Sequence, residues 1–554
     1  MTISNRILTW MPFLPAILLL WGCSASDSSA RAMGSSADGD GEYGNYSDSD
    51  SDSDGDADSD ADWNGDASSD EDDGETVLPE VETKFDYRIP VSSGRFVFIA
   101  DRLNSKVIAV DSETLEIFTT EVGSTPTHVV PLSDNGDVAV ISLNADEVTL
   151  IRMQADGSAD TVELDIRPDT NALAVSHSGR YVIAFFDALF EADSGAPSTD
   201  QEITVIDTTA GAEKAFDISV GIHPMEVVFS ADDSKAFVIS ESGVDIIELA
   251  ALSPTYFPDS ISLFDFTEVS PEKTETLIDP TGTYAIGRRE DKAVAYVVKL
   301  DGSEPVREYE LNGIPTDVDI AKDGTFGVYT VRSAGEAAIF SLPFPADAAT
   351  SPFTVVDLGE RSCGAATISD DGQYVAMFTS VADEEDDEDT SRRVLTVLHR
   401  NGAGFDVDGT LLNRDIKGIL PAPDSGALLV VHELWRGGGA GLNLPYAYSL
   451  VKLPGLQSKF QQLSVDPMQM LVTDDGAFAY MLLSTQQIQI INMDTFIVDV
   501  LSLGSTPQAA GYAANTDKVF ISQQHPSGRM TFMDVDGTNV KTITGYTLND
   551  QSTR

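Results

Sequence analysis

Residues 467–503 of this 554-residue chain read PMQMLVTDDGAFAYMLLSTQQIQIINMDTFIVDVLSL, and this stretch decides the fold class. It contains four apolar runs, at 468–472, 477–483, 487–491 and 497–503, and the turn Asp474-Asp475-Gly476 separates the first two. Short runs that are rich in β-branched residues and bounded by turn residues are typical of β-strands. The stretch therefore predicts a unit of four antiparallel strands.

The same arrangement of an apolar run, a polar turn and a second apolar run recurs ten times, at intervals of 41 to 55 residues with a mean of about 47. The turns are Ser92-Ser93-Gly94, Asp134-Asn135-Gly136, His177-Ser178-Gly179, Asp232-Asp233-Ser234, Pro280-Thr281-Gly282, Lys322-Asp323-Gly324, Asp370-Asp371-Gly372, Asp424-Ser425-Gly426, Asp474-Asp475-Gly476 and Asn515-Thr516-Asp517. A period in this range is typical of propeller blades. We predict an all-β fold, a single large β-propeller of about ten four-stranded repeats over residues 83–554. No linker composition separates any two units, which favours one ring over two smaller propellers.

A second signal precedes the first strand of several units, as in Gly123-Ser124-Thr125-Pro126, Gly221-Ile222-His223-Pro224 and Gly504-Ser505-Thr506-Pro507. The third strand ends in an apolar residue followed by Asp or Asn, as in Val110-Asp111 and Ile491-Asn492. These features resemble the YVTN-type β-propeller repeat and are similar to lactonase-like seven-bladed propellers, over residues 85–545. The resemblance implies the fold, but it does not carry a function with it.

The N-terminal residues 1–22 predict a targeting segment. An apolar stretch follows Arg6 and ends in Leu20-Trp21-Gly22-Cys23, which resembles a bacterial lipoprotein signal peptide. The resemblance implies that Cys23 is lipidated and that the protein is exported and anchored in the bacterial outer membrane or at the cell surface. The alternative is an ordinary secretory peptide that is cleaved a few residues later.

Residues 23–82 predict a disordered, acidic tether rich in Ser, Asp and Gly, because large apolar side chains are almost absent. Within it, the order of acidic residues matches the calcium-loop pattern D-x-D-x-N-G-x5-E. The matching ligand positions are Asp60, Asp62, Asn64, Asp66 and Glu71. No amphipathic helices flank the loop, so a spacer is the favoured interpretation, and calcium is the one cofactor that the sequence suggests.

Composition excludes several functions. The net charge of −58 would repel nucleic acid and anionic lipid, which excludes nucleic-acid binding. The chain has two cysteines, Cys23 and Cys363, so a mature lipoprotein has no pair for an intramolecular disulfide, and we expect Cys363 to pack as a small apolar residue. Haem-attachment, H-E-x-x-H and G-x-S-x-G motifs are absent from the sequence.

Two sets of residues are candidates for a functional site. The second residue after the proline in four units is polar, and in a propeller these positions should form a ring at the channel mouth. These four are His128, Glu226, Asp317 and Gln469. Such a ring could bind a cation or orient a water molecule, whereas the simpler interpretation is a hydrated channel wall. The second set lies in a Gly-rich loop and comprises Trp435, Arg436 and Tyr446, whose side chains are favoured at protein interfaces.

Together these features favour a lipid-anchored cell-envelope β-propeller that acts by binding a protein or a surface polysaccharide rather than by catalysis. The membrane is contacted only through the N-terminal lipid. One alternative is a lactonase-like metal-dependent hydrolase that uses the channel-mouth carboxylates. The other alternative is a calcium-responsive adhesion protein, which depends on the tether.

Overall fold

A computed structural model describes residues 90–187, 201–241, 243–264, 273–347, 350–381, 390–402, 404–423, 426–434 and 445–546. Within them lie forty β-strands, in ten sheets of four consecutive antiparallel strands. The predicted signal peptide and acidic tether lie outside the described residues, and so do Cys23 and the predicted calcium-loop residues. Among the described residues, no helix is long and apolar enough to cross a membrane.

Each sheet is one blade, and the strands of the first five blades follow the chain without exchange between blades. Blade 1 has β1 (Val91–Ser93), β2 (Phe96–Asp101), β3 (Lys106–Asp111) and β4 (Ile117–Glu121); blade 2 has β5 (Pro126–Pro131), β6 (Asp137–Ser142), β7 (Glu147–Met153) and β8 (Ala159–Asp165); blade 3 has β9 (Ala172–Val175), β10 (Tyr181–Phe185), β11 (Glu202–Asp207) and β12 (Lys214–Ser219); blade 4 has β13 (Pro224–Phe229), β14 (Lys235–Ser240), β15 (Gly243–Glu248) and β16 (Asp259–Ile261); blade 5 has β17 (Thr274–Ile278), β18 (Tyr284–Arg289), β19 (Val294–Lys299) and β20 (Arg307–Glu310).

The last five blades repeat the same order. Blade 6 has β21 (Asp317–Ile320), β22 (Phe326–Val331), β23 (Glu336–Ser341) and β24 (Phe353–Asp357); blade 7 has β25 (Ala365–Ile368), β26 (Tyr374–Phe378), β27 (Val394–Asn401) and β28 (Gly404–Leu411); blade 8 has β29 (Ile416–Pro421), β30 (Ala427–His432), β31 (Tyr446–Lys452) and β32 (Gln457–Leu463); blade 9 has β33 (Pro467–Val472), β34 (Phe478–Leu483), β35 (Gln487–Asn492) and β36 (Val498–Ser502); blade 10 has β37 (Pro507–Ala513), β38 (Lys518–Gln523), β39 (Arg529–Asp534) and β40 (Lys541–Thr544). Short 3-10 turns occur at Leu249–Ala251, Arg332–Ala334, Ser391–Arg393 and Ala514–Thr516.

The prediction of one large all-β propeller with about ten four-stranded repeats is therefore confirmed. In the ninth unit each predicted strand agrees with the observed one to within one residue at either end. Nine of the ten predicted turns have a residue in the left-handed conformation at or next to their last position. This residue is glycine in seven turns, Asp233 in blade 4 and Asp517 in blade 10. Asp424 and Ser425 of the eighth turn lie outside the described residues.

Apolar contact between neighbouring blades holds the ring together. The described residues form ten clusters of buried apolar side chains, and each cluster takes its members from two adjacent blades. One of them joins Val97 of blade 1 to Phe520 and Phe532 of blade 10, and thereby closes the ring. At the same seam the Ser92 hydroxyl donates to the Tyr512 carbonyl oxygen at 2.8 Å. The buried side chain of Cys363 joins the cluster between blades 6 and 7, as the sequence predicted.

The antiparallel order gives the propeller two different faces. The turn face carries the connections from first to second strand and from third to fourth strand, and neighbouring turns touch there. For example, Asp233 accepts hydrogen bonds from the backbone amides of His177 (3.0 Å) and Ser178 (2.7 Å). The opposite, loop face carries the remaining connections. The four longest connections between strands, 186–201, 262–273, 379–393 and 433–445, join strand ends on this face.

The tight turn at Gly179 should be sensitive to substitution. Gly179 has φ +70°, and a Cβ atom there would collide with the Leu132 carbonyl oxygen of blade 2. Gly211 has a similar φ of +76° but faces open space. We expect Gly211→Ala to cost about 1 kcal/mol, the strain of the left-handed conformation. Gly179→Ala should cost about 2 kcal/mol more, because backbone atoms must move. Urea unfolding of both variants tests this, and equal losses would contradict the described contact between the turns.

Candidate functional site

The four channel-mouth candidates occupy equivalent places, each on the first strand of its blade. His128, Glu226 and Gln469 pair with Ile141, Ile239 and Leu482 of their second strands, and a shift in strand register separates each from the preceding proline. Asp317 begins β21 opposite Thr330. The four residues belong to blades 2, 4, 6 and 9, so no two of them are in adjacent blades.

Gln469 connects blade 9 to blade 10. Its amide nitrogen donates to the Ala510 carbonyl oxygen at 3.1 Å, and its amide oxygen accepts from the Ala510 backbone nitrogen at 2.7 Å. The side chain is only 2% exposed. Gln469 therefore satisfies both backbone groups of a residue on the first strand of the next blade, which is a structural role.

Asp317 and its neighbour Asp319 make the corresponding connection from blade 6 to blade 7. Asp317 accepts a hydrogen bond from the Ala366 amide at 2.7 Å, and Asp319 accepts one from the Ile368 amide at 2.8 Å. Asp319 also accepts from the Ile320 amide at 2.7 Å. Both carboxylates of β21 are thus hydrogen-bonded to β25, the first strand of blade 7.

A buried ion pair lies next to these carboxylates. Arg288 Nε lies 2.5 Å from Glu275 Oε2, and its Nη1 donates to the Pro315 carbonyl oxygen at 3.3 Å. Glu275 is 8% exposed and Arg288 9% exposed. Pro315 lies two residues before Asp317, so Arg288 extends from blade 5 to blade 6. None of Glu275, Arg288 and Asp319 was predicted from the sequence, although the alternation Asp317-Val318-Asp319 was a visible signal.

Burial governs the electrostatics of this region. Asp319 keeps part of its surface accessible, but protein atoms surround the carboxylate closely, and this burial raises its pKa to about 6. The negative charge of Glu275 acts in the same direction. Burial also raises the pKa of Glu275, against the opposing charge of Arg288. A carboxyl group with a pKa near neutrality is a known feature of functional sites and of buried ionic networks alike.

The described residues do not assemble a recognisable metal site. Within the ranges that the structure covers, no three His, Cys, Asp or Glu side chains converge on a position where they could hold a metal ion. His128 and Glu226 are partly exposed on the inner strands, whereas Asp317 is 4% exposed. The channel-mouth positions thus divide into two that are partly exposed and two that are buried in contacts between blades.

The predicted contact loop of blade 8 is only partly described. Trp435 and Arg436 lie outside the described residues. Tyr446 begins β31 and packs against the apolar cluster between blades 8 and 9, so at least part of its side chain is structural. Beside it, Arg414 donates to the Pro445 carbonyl oxygen at 2.9 Å and lies over the Phe460 ring, 5.6 Å from its centroid.

The same blade contains a buried serine–histidine pair that was not predicted from the sequence. His432 Nε2 lies 2.7 Å from Ser449 Oγ, and His432 Nδ1 lies 3.2 Å from the Asp415 carbonyl oxygen. This resembles the arrangement of a nucleophile and its base. However, His432 is 3% exposed and Ser449 1% exposed, so a substrate could not reach them in this conformation. Burial lowers the pKa of His432 to about 4, which keeps the ring neutral within the blade.

No protein-family model matches this chain, and no curated protein matches it. Among solved structures it is similar to a eukaryotic initiation factor (10% identity, 74% of this chain and 96% of the other, TM-score 0.47). It is also similar to the periplasmic gluconolactonase PpgL of Pseudomonas aeruginosa (12% identity, 65% of this chain and 93% of the other, TM-score 0.33). A third similar structure is a putative 6-phosphogluconolactonase from Bacteroides uniformis (13% identity, 64% of this chain and 92% of the other, TM-score 0.31). At these sequence identities and TM-scores, the structural similarities do not assign a function to this chain.

Removal of the Gln469 side chain should destabilise the ring. Gln469→Ala leaves the amide and the carbonyl group of Ala510 without their partner, and we expect a loss of about 2 kcal/mol. Gln487→Ala is the matched control, because Gln487 is an exposed glutamine in the same blade. The control should stay within about 0.5 kcal/mol of the parent. Thermal unfolding measures both, and equal effects would show that the connection to blade 10 contributes little.

Proposed function

We propose that this protein is a lipid-anchored cell-envelope scaffold whose propeller binds a protein or a surface polymer and catalyses no reaction. The observation that carries the proposal is the use of Asp317 and Gln469 as hydrogen-bonding partners of the next blade. Two of the four polar groups expected at a channel-mouth reaction centre are therefore committed to structure. A large ring with its four longest connections on one face suits binding better than channel-mouth hydrolysis.

We assign the partner to the loop face. The four longest connections, of 12 to 16 residues, join strand ends there, and one of them contains Trp435 and Arg436. The turn face carries the next longest, 342–352 and 249–258. Aromatic and arginine side chains contribute strongly to protein interfaces. The net charge of −58 makes nucleic acid an unfavourable partner, so we propose a protein or an uncharged or cationic polysaccharide.

The lactonase-like alternative retains one supporting observation. His128 and Glu226 lie at equivalent places on first strands and are partly exposed. A hydrolase of this kind would need a divalent cation held by these residues. The two functions can be separated, because hydrolysis would depend on the inner strands and binding would depend on the loop face.

Binding should depend on the loop face. The full chain with Cys23→Ser is immobilised and exposed to envelope extract, with calcium or with chelator, and a captured partner is purified and titrated. We expect Trp435→Ala with Arg436→Ala to weaken binding at least tenfold, because an aromatic and an arginine anchor are removed together. Asp499→Asn is the control on the exposed outer strand β36, and it should bind as the parent does.

This experiment, together with an assay of lactone hydrolysis, distinguishes the three functions. Binding that needs calcium and is lost with Asp60→Ala would favour the calcium-responsive adhesion protein. Metal-dependent opening of aldonolactones that is abolished by Glu226→Gln, with binding unchanged in the loop variant, would overturn the scaffold proposal in favour of the hydrolase.

Lipid anchoring is tested separately. In bacteria fed a labelled fatty acid, the parent chain should carry the label and sediment with membranes, because several acyl chains bind a bilayer firmly. Cys23→Ser should remove the label and release the protein into the soluble fraction. A soluble, unlabelled parent chain would support the ordinary secretory peptide instead.

A further inference from the structure

The junction of blades 5, 6 and 7 contains more buried negative charge than positive charge. Glu275, Asp317 and Asp319 lie there on first strands, and the guanidinium of Arg288 is the cation among them. Arg288 pairs with Glu275 and also lies close enough to Asp317 for their charges to interact. Burial of unbalanced charge is unfavourable unless another group neutralises it.

One carboxylate oxygen in this junction is a particularly informative atom. Glu275 Oε1 is buried and has no hydrogen-bond donor among the residues that the structure describes, whereas its Oε2 atom is paired with Arg288. A buried acceptor of this kind is a place where a bound proton would be stabilised. Because the negative charges of Glu275 and Asp319 repel each other, a proton on either carboxylate removes this repulsion.

Other charged or titratable groups lie near Asp319 or near Glu275. Lys322 follows β21 and is already paired with Asp370, at 2.7 Å. Glu290 follows β18 and adds a further negative charge near Glu275. Tyr329 on β22 donates to the Gly287 carbonyl oxygen at 3.0 Å. The strand that Asp319 holds, β25, has no ionisable side chain.

We propose that this junction is a proton-binding site that couples the surrounding pH to the joint between blades 6 and 7. The proposal goes beyond the scaffold function, since it concerns how firmly one segment of the ring is held. It rests on the three carboxylates with one guanidinium, the unpaired Glu275 oxygen and the hydrogen bonds from β21 to β25.

The direction of the coupling follows from linkage. In the closed joint the pKa of Asp319 is raised from 3.8 to about 6. When the joint opens, water reaches the carboxyl group and its pKa returns towards the ordinary value. The closed joint therefore holds the proton more tightly, so acid favours closure, and opening becomes easier as the pH rises from about 4 through about 6.

Hydrogen exchange of the parent protein, read by mass spectrometry and corrected for the intrinsic pH dependence of exchange, tests the proposal. Protection of the peptide that contains β25 should fall by about tenfold between about pH 5 and about pH 7.5. The largest possible change in protection is roughly 100-fold, because the pKa of Asp319 differs by about two between the closed and open joint. The peptide that contains β37 is the internal control. It is held by Gln469, which does not titrate, so its corrected protection should change much less than that of β25.

Global unfolding is a poor readout here. His432, whose pKa burial lowers to about 4, makes the folded protein more stable as the pH rises towards neutrality. This contribution has the opposite sign to that of Asp319, so the two partly cancel in the whole protein. Local exchange at β25 avoids the cancellation, because His432 lies in blade 8.

Two variants complete the test. Asp319→Asn and Glu275→Gln should each flatten the pH dependence of β25 protection, whereas Asp499→Asn, exposed on β36, should leave it unchanged. If neither junction variant folds, the parent protein alone still decides. Equal pH dependence at β25 and β37, or none at β25, would overturn the proposal.

Discussion

Packing of each blade against its two neighbours is the interaction on which the rest of the structure depends. Strand β6 illustrates it, because Val138 and Val140 contribute to the cluster with blade 1 while Ala139 and Ile141 contribute to the cluster with blade 3. The period-two alternation of a strand thus supplies two interfaces at once. Among the described residues, the seam between blades 10 and 1 uses the same apolar contact and no exchanged strand, so closure there depends on contacts between side chains.

Part of the charge of −58 serves this architecture directly. Aspartates at the turns accept hydrogen bonds from nearby backbone and hydroxyl groups, as Asp232 does from Ser230 and Ser234. These hydrogen bonds lower the pKa of Asp232 to about 2, so the turn keeps its charge in mild acid. Carboxylates inside the ring behave differently, because burial raises the pKa of Asp319. One residue type therefore has two roles, which are set by its exposure.

The turns and strands could be predicted from the sequence because their causes are local. Asp475 and Gly476 form a hairpin turn with the residues beside them, and the apolar runs on either side need only their own composition. The connections between blades could not be predicted in this way. Asp317 hydrogen-bonds Ala366, which is 49 residues away. The sequence placed Asp317 and Gln469 at equivalent positions correctly, but only the arrangement of adjacent first strands reveals what their side chains contact.

The most direct test of this account is the distance between blades 1 and 10. Spin labels at Glu113→Cys, Asp156→Cys and Asp536→Cys would report on exposed third-to-fourth-strand turns of blades 1, 2 and 10. The two native cysteines should not take up label, because Cys23 is replaced by Ser and Cys363 is 0% exposed. A closed ring predicts that the 113–536 distance is as short as the 113–156 distance, since both pairs join adjacent blades. A 113–536 distance several times longer would contradict closure by packing.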